Sequence, residues 1–295
     1  MKSLKIEKKE HRRTGYDAKD IEIVEFTELV ADYDDNGLLL REERFNHDGT
    51  RNTLTLNTYD GQNLTMSEQY DMDDILLQKT ENEYDEQGRL AVQTNYFGDA
   101  SDKYTSKYIY DSDGNLLRVE AFVNGEFDFV ERTFTYAGGR KTSEIENDEN
   151  GEALYSNSYQ YNEKGEVISY TRDEVQNKDR RVYEFQYNEG GDRVKDLVYD
   201  YGMKLIAKVN RDFDGQHRLL GYVEEDLDNY REVKMEYQGD LVVKNSILDR
   251  EGKVVSWAEY EYDETGKEVR STEFARDEVN PENFRTISET TYVRQ

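Results

Sequence analysis

A tandem repeat of about 25 residues constrains this chain more than any other feature. An aromatic residue followed by a turn recurs at spacings of 24 to 26 residues, at Tyr33, Tyr59, Tyr84, Tyr110, Tyr136, Tyr161, Tyr187, Phe213, Tyr237 and Tyr262. A period this regular, kept over most of 295 residues, indicates an array in which each unit packs on the next. The sequence therefore predicts one continuous array and not several separate globular domains.

Most repeats contain a strict turn in which Asp or Asn stands three residues before Gly, as at residues 34–37, 85–88, 111–114 and 263–266, and some second turns repeat this form, at 46–49, 148–151 and 249–252. This spacing fits a type I turn in which the carboxylate caps the backbone and Gly takes a positive φ. Shorter glycine tips occur at 60–61, 138–139, 214–215 and 238–239, and looser turns at 71–74, 97–103, 201–202 and 276–283. Because successive hairpins alternate sides, we expect strict turns on one edge and variable turns on the other.

The segments between turns alternate aromatic and polar residues, which is the period of a β-strand. The predicted fold class is all-β: an extended antiparallel up-and-down meander of about twenty strands, forming a single-layer, twisted and curled sheet or an open shell. Residues 1–32 are predicted as an N-terminal capping hairpin with strands near 4–9 and 21–30. Residues 33–273 form the repeat array, and 274–295 an irregular turn and a C-terminal capping strand.

The chain is strongly acidic, with 66 Asp and Glu against 39 Lys and Arg and a net charge of −27. Such a surface repels nucleic acid and anionic membranes and attracts basic protein partners, although the same charge also serves solubility. Neither a secretory signal nor an apolar run of membrane-spanning length is visible. We therefore expect a cytoplasmic location, with a secreted or surface location as the alternative if a signal segment has been removed.

The residue inventory argues against catalysis and metal binding. The chain has no Cys, and its three His, His11, His47 and His217, fall in different repeats. Thiol nucleophiles and His-rich metal sites are therefore disfavoured. Pairs of acidic residues are so numerous that none of them stands out as a glycosidase site. Some turn sequences resemble part of a calcium-binding loop, but none of them continues into a complete loop. We expect no enzymatic activity, no catalytic residue, no metal and no cofactor.

Five aromatic residues are candidates for partner binding: Tyr108, Tyr159, Tyr183, Trp257 and Tyr260. Exposed Tyr rings also stack on sugars, which makes carbohydrate binding an alternative function. The competing interpretation of the tyrosines is cross-strand packing within a thin sheet. For Trp257 it is core or end-cap packing, as opposed to a partner anchor.

The pattern Tyr-x-Tyr-Asp-x-x-Gly-Asn-Leu at residues 108–116, echoed at 260–269, resembles the YD repeats of Rhs proteins. Related repeats occur in bacterial wall-associated proteins and teneurins. In that family the repeats form a sheet that spirals into a shell, which in some members encloses a toxin segment. The resemblance covers roughly residues 33–270 and lacks the family's self-cleavage motif and C-terminal toxin domain. It therefore implies shell geometry without the effector function.

Two function classes follow from these observations. The first is a non-enzymatic macromolecular binding protein with an acidic curved sheet, in concrete form a cytoplasmic immunity or antitoxin-like protein that binds a basic toxin. The second is a structural or cell-surface module whose role is geometric, as a shell or spacer.

Overall fold

The computed structural model describes residues 2–14, 20–97, 102–280 and 282–294. Every regular element in these ranges is a β-strand, and 22 strands follow one another. The predicted all-β class and the antiparallel meander of about twenty strands are confirmed. Within the same ranges, no helix has the length and apolar character needed to cross a membrane. The variable turn predicted at 97–103 lies largely outside the described residues, as does part of the terminal irregular turn.

The strands are numbered in chain order. The first eleven are β1 (Lys2–Thr14), β2 (Asp20–Tyr33), β3 (Leu39–Phe45), β4 (Arg51–Asp60), β5 (Asn63–Tyr70), β6 (Leu76–Tyr84), β7 (Leu90–Phe97), β8 (Asp102–Tyr110), β9 (Leu116–Val123), β10 (Glu126–Ala137) and β11 (Arg140–Asn147). The others are β12 (Ala153–Tyr161), β13 (Val167–Glu174), β14 (Asp179–Tyr187), β15 (Arg193–Tyr199), β16 (Leu205–Phe213), β17 (Leu219–Asp226), β18 (Tyr230–Gln238), β19 (Leu241–Leu248), β20 (Val254–Tyr262), β21 (Glu268–Arg276) and β22 (Phe284–Arg294).

The chain divides into two compact units. Unit 1 comprises Met1–Leu56, Tyr70–Ile75 and Asn210–Gln295, and unit 2 comprises Asn57–Gln69 and Leu76–Val209. This division does not follow the repeat boundaries, since β4, β5 and β16 contribute residues to both units. The predicted limits of the terminal caps, at residues 32 and 274, stay predictions.

In unit 1 the strand at the start of the chain pairs with the strand at its end. β1 is antiparallel to both β2 and β22, with Leu4 opposite Arg294 and Glu10 opposite Ser288. The prediction of an open sheet or open shell is therefore wrong, because neither terminal strand is a free edge. An unpaired edge exposes a row of N–H and C=O groups and invites association with other chains. Pairing β1 with β22 satisfies both edges at once.

In unit 2, strands β6 to β15 pair antiparallel in sequence order. Their register places Ser106, Val119, Ala121, Phe134 and Asp196 on one face, and all five are buried. Successive side chains of a strand point to opposite faces, so the alternation separates a more buried face from a more exposed one. The more buried face is not purely apolar, because Ser106 and Asp196 belong to it.

The strict turns close as predicted. At residues 111–115 the N–H of Asp111 donates to the carbonyl of Asn115 (2.9 Å), and the N–H of Gly114 donates to the carbonyl of Asp111 (3.2 Å). Gly114 has φ +88°. Oδ1 of Asp111 accepts the N–H groups of Asp113 (2.9 Å) and Asn115 (2.8 Å). These bonds define a type I turn followed by a left-handed residue, held by one carboxylate. The same double acceptance occurs at Asp34, Asp71, Asp85, Asp148, Asp214, Asp249 and Asp263.

Three turns adopt this geometry without glycine in the left-handed position, which the sequence interpretation missed. Asp74, Met203 and His217 have φ values of 61°, 60° and 64°. Each donates its N–H to the carbonyl of the Asp three residues before it. The turns at 71–74 and 200–203 are thus regular, and the one at 214–217 is longer than the predicted 214–215 tip. Because a left-handed residue with a side chain costs about 1–2 kcal/mol, the Asp cap specifies the turn more strongly than the Gly does.

In seven repeats that the structure describes, the hydroxyl of the repeat tyrosine links one hairpin to the hairpin before it. The hydroxyl of Tyr110 donates to the carbonyl of Leu90 (2.9 Å), and that of Tyr187 to the carbonyl of Val167 (2.8 Å). Equivalent bonds are made by Tyr84, Tyr136, Tyr161, Tyr237 and Tyr262. In each case the accepting carbonyl belongs to the first or second residue of a strand that follows a turn. The phenol therefore links neighbouring repeats, which explains why the period carries Tyr.

We expect removal of these hydroxyls to lower the free energy of unfolding. Tyr110→Phe removes one hydrogen bond and leaves a carbonyl without it, at a cost of about 1 kcal/mol. The triple variant with Tyr161→Phe and Tyr187→Phe should lose about three times as much, since separated sites add. Urea unfolding followed by circular dichroism measures the loss. Tyr201→Phe is the control, because Tyr201 is 70% exposed. If the triple variant and the control are equally stable, the tyrosine hydrogen bonds do not stabilise the contact between repeats.

The turn carboxylates should make the fold sensitive to acid. Hydrogen bonds from the Asn115 and Thr265 side chains hold the pKa values of Asp111 and Asp263 below the usual range, and the backbone N–H of Arg218 lowers the pKa of Asp214. A carboxyl whose pKa is lower in the folded state stabilises fully above its unfolded pKa of about 3.9. This stabilisation is lost as the pH falls through the folded value.

Replacing Asp111, Asp214 and Asp263 together by Asn should therefore flatten the fall in unfolding free energy between about pH 5 and pH 2. The amide keeps an acceptor oxygen, as Asn162 shows by accepting the N–H of Glu166 (3.0 Å). Urea unfolding at a series of pH values gives the slope. Asp113→Asn serves as the control, because its backbone N–H, not its carboxylate, enters the turn. An unchanged slope in the triple variant would refute this origin of acid sensitivity.

Candidate functional site

Three tyrosines of unit 2 form a ladder across β12, β13 and β14. Tyr159 stands opposite Tyr170, and Tyr170 opposite Tyr183. Neighbouring ring centroids are 5.2 Å apart, with interplanar angles of 29° and 34°. Two predicted partner-binding residues, Tyr159 and Tyr183, are thus brought together through a third that sequence reasoning did not single out. Because the rings face one another, the surfaces that would stack on a sugar are already in contact.

A cation covers the outer end of this ladder. Nζ of Lys141 lies 4.7 Å from the centroid of the Tyr159 ring and 2.8 Å from Oε2 of Glu144. Burial lowers the pKa of Lys141, but the interactions with Glu144 and Tyr159 together outweigh burial, so that the pKa lies above its usual value. The amine is therefore charged, and a cation over an aromatic face is an attractive arrangement. A similar pair forms where the guanidinium of Arg172 lies 4.1 Å from the Tyr155 ring.

Tyr108 belongs to a second polar cluster of unit 2. Tyr104, Ser106 and Tyr108 alternate along one face of β8. Oε2 of Glu131 accepts the hydroxyl of Tyr104 (3.2 Å) and that of Ser106 (3.4 Å). Burial and the nearby Glu131 carboxylate raise the pKa of Tyr104 to about 12, and burial raises the pKa of Tyr108. Both phenols are protonated at neutral pH, so this cluster offers hydrogen-bond donors and not a base.

Trp257 lies in unit 1 within an aromatic group. Its ring stacks on Phe274 (4.8 Å between centroids, 16°) and meets Phe284 edge to face (4.7 Å, 62°). Its Nε1 donates to Oε1 of Glu259 (2.9 Å). Tyr260, three positions along the same strand, lies on the opposite face and accepts Nδ2 of Asn245 (2.6 Å). The two predicted residues of β20 therefore do not form one site, and Trp257 makes the packing contacts that were the alternative to a partner anchor.

Charged residues gather where β1 meets β22. Nε2 of His11 lies 3.0 Å from Oε1 of Glu289, and Arg270 also pairs with Glu289. Lys9 pairs with Glu25 (3.3 Å). Lys9, Glu25, Arg270 and Glu289 border a cavity of about 620 Å³. Hydrogen bonds from His11 and then Arg270 lower the pKa of Glu289, so its carboxylate is ionised and is shared by the two side chains. The cluster is internally neutralised, which leaves little net charge for a ligand.

The histidines serve three separate structural roles in the part of the chain that the structure describes. His11 pairs with Glu289, His47 packs edge to face on Phe26 (4.6 Å between centroids), and His217 closes a turn. Within these residues no group of three or more His, Asp or Glu side chains is placed to hold a metal ion.

Comparison with known proteins reveals structural likeness only. No protein-family model matches the chain, and no curated protein matches it. A solved TcdB2–TccC3 complex is 16% identical with a TM-score of 0.38, over 84% of this chain and 16% of that chain. A porin-like protein from Bacteroides uniformis is 10% identical with a TM-score of 0.35, over 99% and 97%. The matched chain of a Photorhabdus luminescens Tc holotoxin pore is 13% identical with a TM-score of 0.28, over 83% and 16%.

The chain thus spans 16% of the length of the TcdB2–TccC3 chain that it matches. Identities this low concern the fold alone, and likenesses with TM-scores below 0.5 carry no argument about function.

Sequence reasoning found the aromatic members of these clusters and missed their polar partners. Glu131 lies 25 residues from Ser106, and Glu289 lies 278 residues from His11. No local pattern marks either acid among the 66 acidic residues of the chain. Tyr170 could have been found, because it alternates with the polar residues of its strand as Tyr159 does.

Trp257→Ala should lower the free energy of unfolding by about 2 kcal/mol, less than for a fully buried ring because the site is only half-buried. Trp257→Phe keeps a ring on Phe274 and should cost less than about 1 kcal/mol. Far-ultraviolet circular dichroism in urea compares both variants with the wild type. Tryptophan fluorescence does not serve here, because the chain has one Trp and both variants remove it. If Trp257→Ala is as stable as the wild type, the packing of Trp257 does not contribute to the stability of the fold.

Proposed function

We propose that this chain is a non-enzymatic binding protein that holds a basic protein partner on its acidic sheet surface. The concrete form that we favour is a cytoplasmic immunity or antitoxin-like protein that masks a basic toxin. The repeat motif at residues 108–116 also supports a Rhs-like, YD-repeat origin for the chain.

The observation that carries this proposal is the internal neutralisation of the basic residues. Several Lys and Arg pair with an acid two positions away on the same face of the same strand, as in Lys79–Glu81, Arg118–Glu120 and Arg41–Glu43, each at 2.7 Å. Positive side chains are thereby committed within the protein, while acids outnumber bases by 27, the difference between 66 and 39. The surplus charge is available to attract and orient a cationic partner.

A structural or cell-surface module is a second candidate, and the tyrosine ties favour it. A chain in which seven such bonds link neighbouring repeats, and in which the terminal strands pair, has features of a spacer with a role in geometry. Carbohydrate binding is less supported, since the ladder of Tyr159, Tyr170 and Tyr183 uses its ring faces internally. Fractionation of the native host separates the surface role from the cytoplasmic one.

Affinity capture from the native host at low salt should retrieve a basic protein. Its purified complex should weaken by about one to two orders of magnitude between roughly 50 and 300 mM NaCl, because exposed charges are screened over about a Debye length. A variant in which exposed Glu86, Asp113, Glu149 and Glu264 become amides should bind more weakly and depend less on salt. The matched control exchanges Asp for Glu and Glu for Asp at the same positions.

For the immunity-like form, expression of the captured protein alone should inhibit bacterial growth, and co-expression of this chain should restore it. A partner that is acidic or neutral, or an affinity that does not change with salt or with the amide variant, would refute the proposed function.

A further inference from the structure

The two rims of unit 2 differ in chemistry. Alternate turns of an antiparallel meander lie at the same edge, so the end of β7 and the turns after β9, β11, β13 and β15 lie at one edge, which we name the variable rim. Its large apolar side chains Phe97, Val123, Phe127, Val175, Tyr201 and Met203 expose between 44% and 70% of their surface. The tips of the opposite, strict rim are polar or glycine, as at 86–87, 112–113, 138–139 and 163–164.

Hydrogen bonds hold the variable rim in place. The N–H of Asn124 donates to the carbonyl of Lys103 (3.0 Å), and the N–H of Lys103 donates to Oδ1 of Asn124 (3.1 Å). Nε2 of Gln176 donates to Oδ2 of Asp148 (3.2 Å), which joins two adjacent turns of the rim. Phe127 packs edge to face on Phe122 at 5.6 Å. When the backbone of a surface is already ordered, a partner that binds there loses less of its binding free energy to ordering the protein. The hydrogen bonds of the rim provide such an ordered backbone.

Acids outnumber bases at the variable rim, which also carries Lys103, Lys178, Arg180 and Lys204. Glu126 and Asp128 flank Phe127, and residues 148–152 contribute three acids and no base. Monomeric proteins rarely expose apolar side chains in groups unless those groups bind something. The acids determine the sign of the partner's charge, because the negative charge of the rim repels an acidic protein or an anionic lipid surface.

We propose that the variable rim of unit 2 is the docking surface for a partner segment that carries both cationic and large apolar side chains. The apolar side chains bury against Phe127 and Tyr201, and Lys or Arg of the segment pairs with the acids beside them. This inference rests on the proposed function and deepens it, since it assigns the basic partner to one edge of the sheet and adds an apolar requirement to the charge.

The test uses two synthetic peptides of equal charge, one alternating Lys with Leu and one containing Lys with Ser in place of Leu. The rim variant combines Phe127→Ser and Tyr201→Ser. The control variant combines Leu117→Ser and Ile168→Ser, which are exposed to 37% each near the strict rim. Calorimetric titration should show that the rim variant binds the Lys/Leu peptide about tenfold more weakly than the wild type, as for the loss of aromatic anchors. The control variant should bind like the wild type, and the Lys/Ser peptide should bind weakly to all three proteins.

Equal affinity of the wild type and the rim variant for the Lys/Leu peptide would overturn the rim assignment while leaving salt-dependent binding, and thus the proposed function, intact. Absence of binding of either peptide to the wild type at low salt would overturn both. A second variant, Glu126→Gln with Asp128→Asn, keeps the apolar side chains and should also weaken Lys/Leu binding. An unchanged affinity in that variant would overturn the charge component.

Two further measurements can contradict the choice of occupant. If the wild type binds vesicles of phosphatidylcholine and the rim variant does not, the rim serves a lipid surface and the proposal fails. If sedimentation velocity shows a dimer of the wild type that the rim variant does not form, the rim is an interface between copies of this chain, and the proposal fails as well.

Discussion

One carboxylate oxygen in each Asp-capped turn is the interaction on which the rest of this structure depends. Oδ1 of Asp111 accepts two backbone N–H groups within the turn, and the same arrangement recurs in turn after turn. It determines how many residues the loop contains, and therefore which residues of the two strands stand opposite each other. The register then brings each repeat tyrosine to the carbonyl that receives its hydroxyl, as Tyr110 reaches Leu90.

The more buried face of unit 2 shows how a chain with few apolar residues maintains such a sheet. Val119 and Ala121 are buried, but Asn82 and Gln93 on the same face hydrogen-bond to each other (3.0 Å). Tyr104 and Ser106 share Glu131. Polar groups taken from water are tolerable only when they find partners. The sheet therefore relies on cross-strand pairs spread along its length, and no single core residue dominates.

The side chains that stabilise the fold differ from those to which we assign the proposed binding. Strict turns and repeat tyrosines commit their polar groups to the backbone, and the ring faces of the tyrosine ladder are committed to each other. What stays uncommitted is the surplus of acids and, in unit 2, the apolar side chains of the variable rim. A cationic and apolar partner would complement both.

The sequence by itself determined the all-β class, the hairpin period and the chemistry of the strict turns, because these depend on residues within four positions of each other. It also identified Tyr159, Tyr183 and Trp257 as aromatic residues of interest. Only the tertiary structure decided that β1 pairs with β22, that Tyr170 joins the ladder and that Glu289 meets His11. Each repeat has the same residues whether or not the first and last strands of the chain pair. Their pairing depends on the twist and register summed over the strands between them. Such a sum has no local signature in the chain, and it appears only when the strands are assembled.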